Sequence, residues 1–150
     1  MSDEQWVVFR LAEHEYALRL ENVSEVLRMV AITPLPEAPP WLAGMINLRG
    51  RVIAVTDLRL RLGLPAPAPG LNTPIIVVEA DGRQLGLIAD SVVEVLTQAA
   101  ESTDLPAGLV GQSRLAQATL RAGGRLITVL DLGPLSAGSE RLIAAAAAAE

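Results

Sequence analysis

Residues 50–58 read GRVIAVTDL and residues 124–132 read GRLITVLDL, with six of the nine positions identical at an offset of 74 residues. An earlier pair, NVSEVL at 22–27 and SVVEVL at 91–96, shares four of six positions at an offset of 69. Two matches in the same order and at similar offsets indicate an internal repeat. We therefore interpret the chain as two copies of one small unit.

Each copy has the pattern of a short-stranded β unit. It begins with a run rich in β-branched residues, at 6–11 and 74–79, followed by a turn and a second strand. The Val-x-Glu-Val-Leu segment indicates a short helical turn running into a strand. A Pro/Gly-rich segment then leads to a closing hairpin whose last strand ends at Asp57 or Asp131. The carboxylate at that position can cap a short helix. Short strands with frequent turns predict small antiparallel barrels.

The repeat sets the expected boundaries of the fold. We predict a mainly β chain that forms a single domain of two lobes, with lobe one at about 1–62 and lobe two at about 74–135. Residues 63–73 are rich in proline and predict a semi-rigid linker. Residues 139–150 are rich in alanine and predict a C-terminal helix. Exchange of terminal strands between the lobes is left open.

Composition argues against several classes of protein. A net charge of −5 disfavours nucleic acid as a partner, because binding to phosphates requires a basic surface. The sequence contains no run of eighteen apolar residues, which disfavours membrane insertion, and the acidic N-terminus lacks the pattern of a signal peptide. A cytoplasmic location is therefore expected.

The residues that carry catalytic chemistry do not cluster in the sequence. The chain has one histidine, His14, and no cysteine, a combination that cannot form the usual transition-metal sites. It also lacks the nucleophile-elbow, phosphate-loop and dinucleotide-binding motifs. We predict no catalytic residue, no metal and no cofactor, which points to a binding module.

Differences between the two copies suggest where the partner specificity lies. Arg49 precedes the first repeated strand, whereas its counterpart in the second copy is Gly123. Arg49 is either a solvated turn residue or a contact to a partner, for which its planar set of donors is suited. Glu25 is matched by Glu94, which favours a structural role such as an ion pair. The neighbours of Glu25 at positions 23, 26 and 27 are predicted to lie in the core.

An ordered set of motifs resembles one known family. Residues 47–53 (NLRGRVI) and 57–59 (DLR) are similar to the N-L-R-G-x-(apolar) … D-L-R signature of CheW-like proteins. The segments VSEV at 23–26 and LAGMI at 42–46 resemble the approach to that signature, and 84–92 and 127–132 continue the match. The resemblance covers roughly residues 5–135.

The resemblance implies two SH3-like five-stranded barrel lobes and a non-enzymatic adaptor that couples chemoreceptors to a CheA-type histidine kinase. It implies that the regulatory domain of the kinase, which has the same fold, docks barrel against barrel, and that the receptor's cytoplasmic hairpin tip lies between the lobes. The adaptor would then be recruited to membrane-associated receptor arrays. The matched positions imply a partner-binding region of eight residues: Val23, Glu25, Val26, Gly44, Asn47, Arg49 and, lining the groove from the second lobe, Leu87 and Ile88.

Two alternatives stay open from the sequence. One is an adaptor of a non-flagellar chemosensory pathway, such as type IV pilus or surface-sensing signalling. The other is a double barrel that binds a small ligand.

Overall fold

The computed structural model describes residues 4–99 and 115–135, and within them ten strands form two five-stranded sheets. The strands are β1 (Glu4–Leu11), β2 (His14–Arg19), β3 (Val23–Arg28), β4 (Leu42–Leu48), β5 (Arg51–Asp57), β6 (Pro74–Ala80), β7 (Arg83–Ile88), β8 (Ser91–Gln98), β9 (Ala116–Ala122) and β10 (Arg125–Leu130). A 3-10 turn (Leu20–Asn22) precedes β3, and a short helix, α1 (Leu58–Arg61), follows β5. The prediction of a mainly β fold is confirmed.

The two sheets exchange hairpins between the two halves of the chain. Sheet A has the order β8-β1-β2-β10-β9, and sheet B has the order β3-β6-β7-β5-β4. Each sheet therefore combines the hairpin of one copy with the three remaining strands of the other. The predicted lobes at about 1–62 and 74–135 do not coincide with the two sheets, because β1–β2 and β6–β7 cross over, which is the kind of exchange that the prediction left open. We call each sheet with its own core lobe A or lobe B.

The exchange is symmetric, so the sequence repeat is also a repeat of topology. In each sheet the second strand of the exchanged hairpin pairs in parallel with the last strand of the other copy, as in Ile127↔Glu15 and Ala54↔Leu85. Strands β3, β4 and β5 in sheet B thus occupy the places that β8, β9 and β10 occupy in sheet A. Residues 63–73 connect two strands of the same sheet, β5 and β6, through irregular structure.

Three apolar clusters hold the lobes together. Lobe A and lobe B each have a small core of their own, and a larger shared core lies between the sheets. Along β6, Ile75 and Val77 pack into the core of lobe B, whereas Ile76 and Val78 pack into the shared core. The first five residues of β6, 74–78, are all apolar and buried, as is typical of a strand with both faces covered.

The structure tests the expectations for the Val-x-Glu-Val-Leu segments and for the two helix-capping aspartates. The Val-x-Glu-Val-Leu segments are strand throughout in β3 and β8, and the helical turn in the first copy comes before the segment. The carboxylates of Asp57 and Asp131 accept hydrogen bonds from the backbone N–H groups of Arg59 (3.1 Å) and Gly133 (3.0 Å), which confirms their capping role. The predicted helix at 139–150 lies outside the described residues. None of the helices in the described ranges is long and apolar enough to cross a membrane.

Candidate partner-binding site

The two edges of sheet B are joined by the chain that follows β3. Thr33 and Met45 form an isolated antiparallel bridge, with N···O distances of 2.9 and 2.8 Å in its two hydrogen bonds. We call this region the β3–β4 seam; it comprises Glu25, Thr33, Gly44, Met45, Asn47 and Arg49. Four of its members, Glu25, Gly44, Asn47 and Arg49, belong to the region implied by the family resemblance.

Gly44 permits the close approach of backbone at the seam. Its φ is +145°, and a Cβ at this position would lie 2.1 Å from the carbonyl oxygen of Thr33 and 2.9 Å from Ile32 Cγ2. Both distances are shorter than van der Waals contact. Gly44 is therefore required by the geometry of the seam.

Arg49 and Gly50 form the two-residue turn between β4 and β5. Both have positive φ, 52° and 84°, which is typical of a type I′ hairpin turn. The Asn47 side chain stabilises the turn, since its Oδ1 accepts a hydrogen bond from Gly50 N at 2.9 Å. A left-handed backbone is unfavourable for a residue with a side chain, and arginine is not among the types that adopt it readily. Arginine at this position therefore has a backbone cost that glycine would not have.

The Arg49 guanidinium forms a two-pronged ion pair with Glu25 on β3. Nη1 and Nη2 donate to the two carboxylate oxygens, the second at 3.0 Å. The Arg49 side chain is 73% exposed and that of Glu25 is 24% exposed. The hydrogen bonds from Arg49 lower the pKa of the Glu25 carboxyl. This contact fixes the guanidinium across the seam while leaving its outer face accessible.

The second copy keeps the turn and the glutamate but not the arginine. Gly123 and Gly124 have φ of 54° and 82°, nearly the values at Arg49 and Gly50. Glu94 is paired instead with Arg125, 2.8 Å away. The expected ion pair at the duplicated glutamate is thus present in both lobes. The arginine paired with this glutamate lies in the β4–β5 turn in lobe B and in strand β10 in lobe A.

The remaining predicted site residues lie on two strands, Val23 and Val26 on β3 and Leu87 and Ile88 on β7. Val26 is exposed on β3, which corrects the expectation that it lies in the core, and Val23 is partly buried against the shared core. Leu87 and Ile88 are fully buried, in the shared core and in the core of lobe B respectively. The expectation that they line a groove is contradicted, because β7 is a central strand with both faces covered.

A buried charged cluster was missed by reasoning from the sequence. Arg59 is only 2% exposed; its Nε and Nη2 donate to Asp57 at 3.0 and 2.9 Å, and its Nη1 donates to Asp90 at 2.9 Å. The hydrogen bonds to Asp57 raise the pKa of the Arg59 guanidinium. In the sequence, the only sign of this cluster is the DLR triplet at 57–59, which resembles a family motif and predicts a helix cap.

Within residues 4–99 and 115–135, no group of three or more His, Asp or Glu side chains is placed to hold a metal ion. His14 is exposed at the start of β2.

Known proteins resemble this chain in both sequence and structure. A family model described as "CheW-like domain" matches residues 5–140. The chemotaxis protein CheW of Rhizobium meliloti is 30% identical over 137 residues, covering 90% of this chain and 88% of the relative, and that of Bacillus subtilis is 30% identical over 130 residues, covering 85% and 83%. The crystal structure of the scaffolding protein TtCheW from Thermoanaerobacter tengcongensis is similar with a TM-score of 0.78 and 33% identity, covering 88% of this chain and 86% of that one.

Proposed function

The chain belongs to the CheW-like domain family, and from that premise we propose that it joins chemoreceptors to a CheA-type histidine kinase as a scaffold without catalytic groups of its own. Its relatives and its fold make it a chemotaxis coupling adaptor of two SH3-like lobes. Such an adaptor acts by stabilising one assembly over others.

The observation that carries the choice of site is the conformation of Arg49. Its turn is built in the second copy from two glycines, which adopt positive φ without a steric cost. Lobe B keeps an arginine there and pairs it with Glu25. The fold alone does not require that residue, so its retention supports a function for the exposed guanidinium. We assign Arg49 to the contact with the kinase regulatory domain, where its free face would meet carbonyl or carboxylate groups.

Apolar side chains beside the charged pair would supply most of the contact area. Val26 on β3 and Val52 on β5 are 47% and 63% exposed. Their counterparts in lobe A, Val95 and Leu126, are 52% and 44% exposed. Each lobe therefore presents two exposed apolar residues at equivalent positions next to a Glu–Arg ion pair. Duplicated surfaces of this kind support docking against partners that have the same fold.

Three other residues of the seam, together with Val23, would act as supports. Asn47 holds the turn, Gly44 lets the two strand edges meet, and Glu25 orients the arginine. Val23, which packs against the shared core, would place β3. We propose Arg49 and Val26 as direct contacts and these four as positioning residues. Leu87 and Ile88 have no place in the proposed surface because they are buried.

The receptor hairpin tip is proposed to lie between the two lobes and to contact both. Recruitment of the adaptor to receptor arrays at the membrane would follow from that contact alone. A helical hairpin in a groove buries apolar residues while polar groups at the rim set its register.

Calorimetric titration with a CheA regulatory domain tests the proposed site. The variants are Arg49→Gly, which places in lobe B the residue that lobe A has, and Arg49→Glu, which reverses the charge. The matched control is Asp81→Gly in the β6–β7 turn, where Asp81 and Gly82 have φ of 55° and 77°. We expect wild type and Asp81→Gly to bind alike and both Arg49 variants to bind at least about tenfold more weakly.

Thermal unfolding of the same proteins separates binding from folding. Arg49→Gly should keep or slightly raise the melting temperature, because it relieves an unfavourable backbone conformation and removes only an exposed ion pair. Full affinity in a folded Arg49→Gly protein would refute the assignment of Arg49. No binding by the wild type to either partner at about 50 µM, a concentration that detects even weak specific complexes, would refute the coupling proposal itself.

A further inference from the structure

The Arg59 cluster lies where the chain passes from one lobe to the other. Strand β7 ends in sheet B at Ile88, and β8 begins in sheet A at Ser91. Asp90 is in this crossover, and its Oδ1 accepts from Arg59 Nη1 at 2.9 Å. Because Arg59 is on α1, directly after β5, this bond ties the crossover to lobe B.

The other oxygen of Asp90 binds lobe A. Oδ2 accepts a hydrogen bond from the backbone N–H of Ala12, in the β1–β2 turn, at 2.6 Å. The backbone N–H of Asp90 also donates to the carbonyl of Arg10, at 3.0 Å. One half-buried carboxylate thus links a buried guanidinium of lobe B to a turn of lobe A.

The opposite crossover has a different construction. The residue equivalent to Asp90, at the offset of 69, is Glu21, which lies in the 3-10 turn between β2 and β3 with its side chain 74% exposed. The residue equivalent to Arg59, at the offset of 74, is Gly133. Glu21 pairs only loosely with Arg19, at 3.8 Å. The buried link is therefore a property of one copy and is not demanded by the repeated fold.

We propose that Arg59 and Asp90 form an interlobe latch that sets the angle between the two lobes, and that binding of a partner contacting both lobes depends on it. The shared core keeps the lobes together, but apolar contact is non-directional and tolerates small rotations. Charge-assisted hydrogen bonds have narrow geometry and can select one orientation. The second half of the proposal rests on the proposed function, in which the receptor hairpin contacts both lobes.

Asp90→Ala is the variant of choice. It removes the acceptor for both Arg59 and Ala12, while Arg59 keeps its two bonds to Asp57 and is not left as an uncompensated charge. Asp90→Asn retains an acceptor for Ala12 and serves as partial rescue. Glu21→Ala, at the exposed crossover, is the matched control.

The first measurement uses the protein alone. The chain has no cysteine, so Val52→Cys and Leu126→Cys place one spin label on each lobe without further changes. Electron–electron double resonance should give a narrow distance distribution in the wild type and with Glu21→Ala, and a clearly broader or shifted one with Asp90→Ala. An unchanged distribution with Asp90→Ala, or equal broadening with Glu21→Ala, would overturn the latch.

The second measurement compares partners, with folding checked by thermal unfolding. Asp90→Ala should weaken binding of a receptor hairpin-tip fragment by about tenfold, with Asp90→Asn intermediate, and leave binding of the kinase regulatory domain within about twofold. A uniform loss for both partners would indicate a general structural defect and refute the positioning role. If wild type binds no receptor fragment, the proposed function fails, and the label distances still decide whether the latch exists.

Discussion

Replacement of Gly44 by alanine tests the seam most directly. The new Cβ would meet the Thr33 carbonyl oxygen at 2.1 Å and its carbonyl carbon at 2.7 Å, so the segment at Thr33 and strand β4 must separate. Separation breaks the two backbone hydrogen bonds between Thr33 and Met45, each contributing about 1 kcal/mol. The φ of +145° adds a backbone cost of about 1 kcal/mol or more. We expect Gly44→Ala to lower the free energy of unfolding by about 3 kcal/mol.

Gly50→Ala is the matched control, because Gly50 also has positive φ, +84°, but a Cβ there has no neighbour within 4 Å. It should lose only the backbone contribution. The two variants should differ in melting temperature by about 6 °C for a chain of this size. Amide hydrogen exchange should show faster exchange at Thr33 and Met45 in Gly44→Ala alone. Equal melting temperatures and equal exchange would refute the account of the seam.

Two further predictions concern the difference between a buried and an exposed residue and the pH dependence of an ion pair. Leu87→Ala should destabilise the fold by about 2–5 kcal/mol and reduce kinase binding only as far as it reduces the folded fraction. Val26→Ala should change the free energy of unfolding by less than about 0.5 kcal/mol and still weaken kinase binding. Denaturant unfolding and titration of both variants check this, and normal affinity with Val26→Ala would remove Val26 from the surface. Hydrogen bonds from Arg125 lower the pKa of Glu15, so its contribution to stability is complete above the ordinary glutamate value and is lost as the pH falls through the lowered pKa. The melting temperature should therefore fall less between about pH 6 and pH 3 in Glu15→Gln than in the wild type, and parallel curves would contradict the assignment.

Arg49 is the residue of the proposed site that the sequence singled out most directly. Comparison of two copies singled out a residue present in one turn and replaced by glycine in the other. The structure adds that the turn imposes positive φ at this position, which makes the arginine costly to keep. It also supplies the partner of the guanidinium: Glu25 is 24 residues away, and no local pattern joins the two.

The buried positions of Leu87 and Ile88 illustrate the limit of motif transfer. A family motif indicates that positions matter, but burial depends on what covers each face of the strand. Strand β7 is central in sheet B, with a core on both sides, so its apolar residues stabilise the lobes from within.

Residue order alone establishes the repeat, the strand-rich pattern and the family, because each depends on which residue types follow one another along the chain. The exchange of hairpins between the two copies is visible only in the folded chain. An exchanged and an unexchanged hairpin form the same local hydrogen bonds and bury equivalent residues, so the repeated sequence cannot distinguish them. Tertiary structure likewise decided that Arg59 links the lobes through Asp90, because that contact exists only after the crossover places the two residues together.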